Sequence, residues 1–340
     1  MRLMKRLAVL TLTAAFLAAL GLAGWGWLAV HTPYQGYEGE AAVDIPAGSG
    51  SRDIVDLLHR RGVIGYRYPA LAWLYLSDYR GKLQAGEYAF DTPMDADAVL
   101  AKLADGDVRL YAFTIPEGFR IDQIADRWEE TGFGDRDEFL RATEAALPMV
   151  QRINPRAESV EGYLFPETYS LPRAVTADQA VEAMVRAFEQ TLARVEREVP
   201  RSEWPLDLHD TLILASLVES EVAVAEERGL VASVFLNRLD RNMRLECDAT
   251  VVYALVRNGG YQGRILRADL ALDSPYNTYL YPELPPGAIS NPGYLSLLAA
   301  ADPARTDYLF FVRTEGGRHT FSRTLAEHNV AVAEYRRMSN

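Results

Sequence analysis

Leu7 to Val30 is an uncharged, mostly apolar run of 24 residues, and nothing else in the chain limits its fold as strongly. A helix needs roughly 20 such residues to cross a bilayer, so the run predicts a single membrane span. Arg2, Lys5 and Arg6 precede it as a positive flank, which puts the N-terminus in the cytoplasm and the remaining chain outside it. Trp25 and Trp27 stand near the outer end, where amphipathic rings favour the headgroup layer. Residues 1–30 therefore read as flank and anchor, and the polar stretch over residues 31–42, beginning HTPYQGYEGE, reads as a tether. The alternative is a cleaved signal peptide, for which AALGLAG offers a small-residue site, although its apolar region would span only about 7 to 15 residues.

Beyond the anchor the chain is globular: 49% of its 340 residues are hydrophobic and 24% charged, enough for one large domain or two modest ones. A formal net charge of -12, with no basic stripe among aromatics, argues against nucleic acid as a partner. The single cysteine, Cys247, excludes an intramolecular disulfide and any CxxC site. His31, His59, His209, His319 and His328 are scattered without HxxxH or HExxH spacing, so neither a metal nor another cofactor is expected. No G-x-S-x-G elbow or P-loop is present, and Cys247 has no sequence partner that would make it a nucleophile.

Two segments echo each other, VDIPAGSGSRDIVDLL from Val43 and FTIPEGFRIDQIADRW from Phe113. Each reads strand, Pro-x-Gly turn, helix: Pro46 and Pro116 close a strand, Gly48 and Gly118 permit the turn, and Ile54/Leu58 or Ile124/Trp128 line one helical face. A duplicated unit of small mixed α/β pieces is expected over 43–157. A polar boundary near residue 157 then opens a second domain over 158–340, and the overall class is α+β. There ADQAVEAMVRAFEQTLARVERE has the period of an amphipathic helix, and RGLVASVFLNRL is apolar nearly all round, which implies burial.

Between them lies TLILASLVESE, preceded by Asp210 as a helix cap, with Leu212, Ala215, Ser216 and Glu219 on one stripe. Glu219 and Glu221 are two residues apart and point about 200° away from each other, so they cannot act on one bond as a pair. Glu219 shares a face with core residues, where desolvation favours the proton-donating form of a carboxyl, whereas Glu221 faces other neighbours. On helix position alone such a glutamate is more often a helix-end or ion-paired residue. Glu226, Glu227 and Arg228 read as the charged start of the next helix. Glu161, Glu167, Asp248 and Asp273 stand beside turn-forming residues, where capping is the commoner role. The aromatic loops GYLFPETY and SPYNTYLYP offer rings, amides and hydroxyls together, the surface of a carbohydrate groove, or else pack around their prolines.

Taken together, EGYLFPETY, LASLVESEVAVAEERGLVASVFLNRLDRNMRLECDATVVYAL, DSPYNTYLYPELPPGAISNPG and AEHN resemble, in matching order, the YceG-like family of endolytic murein transglycosylases. The resemblance implies an N-terminal transmembrane helix, a LysM-like region that suits the IPAG and IPEG units, and an α+β catalytic domain. It implies that Glu219 is the catalytic acid, and that Glu161, Tyr163, Glu167, Tyr169, Asn237, Asp248, Tyr276, Asn277, Thr278 and Asn291 line the glycan groove. Cys247 and Ala249 depart from the family pattern around Asp248, while Asp248 and Thr250 are retained. The resemblance further implies a single-pass protein of the bacterial plasma (inner) membrane with an extracytoplasmic catalytic domain, acting on peptidoglycan with penicillin-binding proteins and other cell-wall synthesis proteins as partners.

The reaction implied is cleavage of the β-1,4 bond between N-acetylmuramic acid and N-acetylglucosamine by the muramyl C6 hydroxyl, leaving a 1,6-anhydro end and ending strand elongation. One carboxyl serves first as acid and then as base, which suits a helix with no dyad. Two rival readings are a non-catalytic, membrane-tethered peptidoglycan-binding scaffold and a glycan hydrolase using the same site, which would ordinarily need a second positioned carboxylate.

Overall fold

The computed structural model describes residues 2–338, so residues 1, 339 and 340 of the expected anchor and catalytic segments lie outside the described residues. The chain divides into two compact units, residues 1–111 with 170–174, and residues 112–169 with 175–340. The expected junction near residue 157 therefore falls inside the second unit.

In the first unit the apolar run forms α1 (Arg2–His31), which has no acidic residue in its first turn and qualifies by length and hydropathy as a candidate membrane span. Then follow β1 (Ala41–Ile45), α2 (Ser51–Arg60), α3 (Arg67–Leu76), β2 (Gly86–Phe90) and α4 (Ala96–Asp105). β1 and β2 pair antiparallel, Ala41 opposite Phe90 and Ile45 opposite Gly86. Val43 and Ile45 alternate inward to meet Ile54, Leu58 and Leu74, one apolar face from each element, as period-2 and period-3.6 patterns require. Asp95 caps α4 by accepting from the Ala98 N–H, and Gly106, at φ 70, ends it.

Of residues 31–42, expected to be a tether, His31 ends α1, Ala41 and Ala42 begin β1, and the residues between are bonded to this unit. The Tyr34 N–H donates to the Met94 carbonyl and the Gly36 N–H to that of Gly62, at 2.9 and 2.8 Å, while the Tyr37 hydroxyl reaches Thr92. Val30 of α1 is itself part of the core, so the helix runs into the unit without a slack connection.

The remaining elements are β3 (Leu110–Thr114), α5 (Ile121–Glu130), α6 (Arg136–Ala145), α7 (Leu147–Ile153), β4 (Thr168–Pro172), α8 (Ala177–Glu198), α9 (Leu208–Glu221), α10 (Arg228–Asp240), α11 (Asp248–Arg257), α12 (Tyr294–Ala301), β5 (Phe310–Arg313), β6 (His319–Ser322) and α13 (Leu325–Met338). β3 pairs with β4, and β5 pairs antiparallel with β6. Thus β1 and β2 enclose two helices, α2 and α3, whereas β3 and β4 enclose three, α5, α6 and α7, and the echo in the sequence marks the strand-turn-helix start of each arrangement. The architecture is mixed α+β.

In the second unit, α9 is buried on every face from Thr211 to Val218, more completely than a single apolar stripe predicts. Its cap is Asp207, which accepts from the Asp210 N–H at 3.0 Å; the helix begins one turn earlier than expected because Leu208 and His209 are already helical. α10 and α12 pack against it, and α12 starts at the turn Asn291-Pro292-Gly293.

Candidate active site

Glu219 lies in the last turn of α9, where the helix carbonyls oppose negative charge, so a carboxylate there needs compensation. Two groups supply it. The Gly293 N–H, at the N-terminus of α12, donates to Oε2 at 2.9 Å, and the Arg228 guanidinium reaches Oε1 at 3.3 Å. The Glu219 side chain keeps 6% of its surface open and Arg228 keeps 9%, so solvent screens this pair little. Arg228 is aimed by its Nε–H, which donates to Ser296 Oγ at 2.9 Å.

A second carboxylate faces the same guanidinium. Glu117 Oε2 lies 3.5 Å from Arg228 Nη2, with its side chain half exposed. Burial, and then the charge of Glu219, push the Glu117 carboxyl above its ordinary range, while Arg228 pulls it back. Glu117 is brought there by the Pro116-Glu117-Gly118 turn. Gly118 holds φ 77, a conformation costly to a residue with Cβ, and a Cβ there would lie 3.6 Å from the Glu219 stem. A side chain at Gly293 would displace the Glu117 carboxyl.

The turn is held in register by Asn291. The Gly118 N–H donates to the Asn291 carbonyl and the Asn291 N–H to that of Phe119, both at 2.9 Å. The Asn291 side-chain amide donates to the Phe119 carbonyl and to Glu161 Oε1, and its Oδ1 accepts from the Gly162 and Leu164 N–H groups. Glu161 also accepts from the Ile121 N–H at 3.1 Å and from the Tyr253 hydroxyl. Burial pushes its carboxyl up to about 8, against the pull of the Ile121 N–H. Glu161 and Asn291 thus tie three segments of distant sequence into the frame around Glu219.

The other residues expected at the groove are dispersed. Tyr163 is buried with its hydroxyl accepting from Asn154, and the buried Tyr169 hydroxyl donates to the Phe165 carbonyl. Buried Asn277 donates to the Leu270 and Leu272 carbonyls, and buried Thr278 accepts from the Cys247 N–H and meets the Thr250 hydroxyl. Asn237 donates to the Thr306 and Tyr308 carbonyls, joining α10 to the lead into β5. Exposed Asp248 accepts from the Tyr279 hydroxyl, Tyr276 stacks near Tyr253 and Arg257, and Glu167 is exposed. None of these has a hydrogen bond to Glu219 among the described contacts; most spend their polar atoms on the protein's own loops.

Glu221 is also largely enclosed. Burial raises its carboxyl, and it accepts from the Cys247 thiol at 3.0 Å, which gives the departure at Cys247 a structural partner. Glu227, read in sequence as a helix-start charge, is buried and accepts from the His319 backbone and ring. Arg228, Glu117 and Gly293 were missed as site residues. The one usable signal was the echo itself, in which Glu117 stands where the first copy has Ala47.

Two concavities flank this frame. One of about 420 Å³ borders Arg228 and is lined by Glu198, Val199, Ala225, Leu295 and Leu298. Another of about 1070 Å³ is lined by Arg156, Glu158, His209, Tyr281 and Glu283. The larger one is at the opposite end of α9, about 15 Å along the helix from Glu219, so size alone does not mark the chemistry.

A Bacillus subtilis protein named endolytic murein transglycosylase is 34% identical over 311 residues, which cover 86% of this chain and 84% of that protein. A Streptococcus pneumoniae protein of the same name is 31% identical over 328 residues, covering 86% of this chain but only 58% of that protein. Among solved structures, the crystal structure of a yceG-like protein from Listeria monocytogenes matches with a TM-score of 0.58 and 33% identity, over 87% of this chain and 100% of that one. The sequence profile of the YceG-like family matches residues 43–334, and with these likenesses the chain belongs to that family.

Proposed function

We propose that this protein is a membrane-anchored lytic transglycosylase that cuts peptidoglycan glycan strands internally, with Glu219 as its acid and base. The observation that carries the reading is an enclosed carboxyl at the end of a buried helix, held by the Arg228 guanidinium and the Gly293 N–H. Protonated Glu219 donates to the departing glycosidic oxygen; as carboxylate it then accepts the muramyl C6 hydroxyl proton while that oxygen closes on C1. No water is consumed. The names of the relatives from B. subtilis and S. pneumoniae support this activity.

In this reading α1 crosses the plasma membrane with its N-terminus inside, and both units face the cell wall. The strand-helix-helix-strand first unit is LysM-like and holds glycan near the bilayer, where synthases such as penicillin-binding proteins work. Glu161, Tyr163, Asn277, Thr278 and Asn291 act by holding the loops, whereas Glu167, Asp248 and Tyr276 retain surface for sugar contact.

A second reading, hydrolysis, is favoured by one observation: Glu117 is a second carboxylate on the same guanidinium. A glycosidase could use it to activate water. The test is digestion of intact peptidoglycan by the full chain, read by mass spectrometry. Anhydromuramyl ends that vanish in Glu219→Gln, with folding and glycan binding retained, are expected. Reducing muramyl ends would establish hydrolysis instead, and glycan capture without any product would leave a scaffold.

A further inference from the structure

We propose that one face of α3, formed by Tyr68, Ala72, Tyr75 and Leu76 with Tyr66 beside it, lies in the headgroup region of the bilayer that α1 crosses. The first unit is then seated on lipid by its own surface as well as by its anchor. The proposal rests on α1 spanning the membrane.

The helix RYPALAWLYL is apolar nearly all round. Ala70 and Leu74 are fully buried in the unit's core, which accounts for one side. Positions 68, 72, 75 and 76 follow the i, i+4, i+7, i+8 spacing of a second stripe, and that stripe faces outward. Tyr68 keeps 73% of its surface exposed and Leu76 83%, values that water alone does not favour for neighbouring large apolar groups.

The depth of this stripe follows from its contacts with α1. The Trp25 ring meets Tyr66 edge-on at 5.5 Å, Trp27 meets Trp73 edge-on at 5.5 Å, and His31 meets Trp73 at 4.9 Å. Counting from Leu7, the first residue after the positive flank, about 20 residues at 1.5 Å each cross a hydrocarbon core of about 30 Å. That count ends at Gly26. Trp25 and Trp27 therefore stand at the outer boundary, and α3, in ring contact with them through Tyr66 at its N-cap and Trp73 in its second half, lies beside that level. Because residues 32–40 are bonded to the unit, the linker cannot lift it away from the surface.

The composition suits that layer. Tyrosines with an apolar ring and a polar tip are favoured at the interface. Arg67 lies over the Tyr68 ring at 5.3 Å and Arg80 over the Tyr75 ring at 5.0 Å, which puts two guanidinium groups at the edge of the stripe within reach of lipid phosphates. Arg67 is also bonded to Asp56 at 2.8 Å, so Arg80 is the freer of the two.

The test places a nitroxide on the full chain in phospholipid nanodiscs, one position at a time, through Tyr68→Cys, Leu76→Cys and, within α1, Leu17→Cys. All three side chains are exposed, so folding should survive, and the buried Cys247 is checked with the unsubstituted chain. Collision with oxygen is compared with collision with an aqueous nickel chelate. Oxygen favoured at position 17, with positions 68 and 76 balanced between the hydrocarbon and aqueous limits, is expected. Oxygen favoured at position 17 with nickel favoured at 68 and 76 would overturn the seating and leave the anchor intact. Nickel favoured at all three would remove the span itself, and labels at 68 and 76 shielded from both reagents would replace lipid by a protein partner.

Discussion

The same turn is built twice in this molecule and used once. Pro46-Ala47-Gly48 and Pro116-Glu117-Gly118 have nearly the same backbone: the glycines hold φ 79 and 77, and in each the residue after glycine donates its N–H to the proline carbonyl, Ser49 at 3.2 Å and Phe119 at 3.4 Å. Around Gly48 there is open space for a side chain, whereas a Cβ at Gly118 would meet the Glu219 stem, and the Gly118 N–H is taken by Asn291. The turn gives the same frame in both places; what differs is what the second one is packed against. One side chain, alanine at one turn and glutamate at the other, separates a surface corner from a wall of the candidate site.

Arg228 is where that difference can be broken most severely. Arg228→Met leaves the enclosed Glu219 carboxylate without its guanidinium and beside the half-exposed Glu117. We expect about 3 kcal/mol of lost stability, from breaking a buried ion pair, and a loss of turnover on the order of a hundredfold. Urea unfolding and anhydromuramyl release measure the two effects. Arg228→Lys should recover part of the stability but less of the turnover, because an ammonium cannot hold Ser296 and both carboxylates in one plane.

Glu117→Gln should act more narrowly. It keeps the shape of the turn and removes the charge that faces Arg228, so the guanidinium is left to Glu219 alone. A change of about 1.4 kcal/mol in that balance alters turnover by about tenfold. The expected readout is a lower kcat with KM and melting temperature little changed; an unaltered kcat would make Glu117 a bystander of the turn.

How far the sequence could be read follows the same division. The candidate span, the echo and the place of Glu219 on a buried helix were legible because each depends on local pattern: apolar length, Pro-x-Gly spacing, helical period. Arg228 was not, because the charge pattern Glu226-Glu227-Arg228 looks the same whether it caps a helix in water or is folded into the core. The bonding of residues 32–40 was hidden for a related reason, since polar residues with glycines form free linkers and bonded corners alike. Glu161 and Asn291 stood out as polar residues, but their work for the frame is visible only in contacts that span 130 positions.

Glu161 offers a pH test of the second copy's packing. Its carboxyl ordinarily titrates near 4.5 and is pushed up to about 8 in the folded protein. Below pH 4.5 both states hold the proton. As pH rises from there toward 8, the unfolded chain has released its proton while the native state keeps it, so native stability falls across that window. The melting temperature of the parent should therefore drop between pH 5 and pH 8, and Glu161→Gln should flatten that drop, because glutamine can still accept from Ile121 and has no charge to bury. An equal drop in both proteins would assign the pH dependence to other groups.

The smallest effect is expected where the first copy is made to look like the second. Ala47→Glu puts a carboxyl on a turn with the same φ at its glycine, so if the turn itself conferred function the substitution should perturb the protein. The site at Glu219 instead depends on Arg228, Gly293 and Asn291, and Ala47 is exposed with open space around its neighbouring glycine. Stability should change by less than about 0.5 kcal/mol and turnover should stay at the parent value, measured in the same assay as Glu117→Gln. A loss of activity in Ala47→Glu would mean that the first copy's turn takes part in handling the glycan, and the contrast between an empty frame and an occupied one would no longer hold.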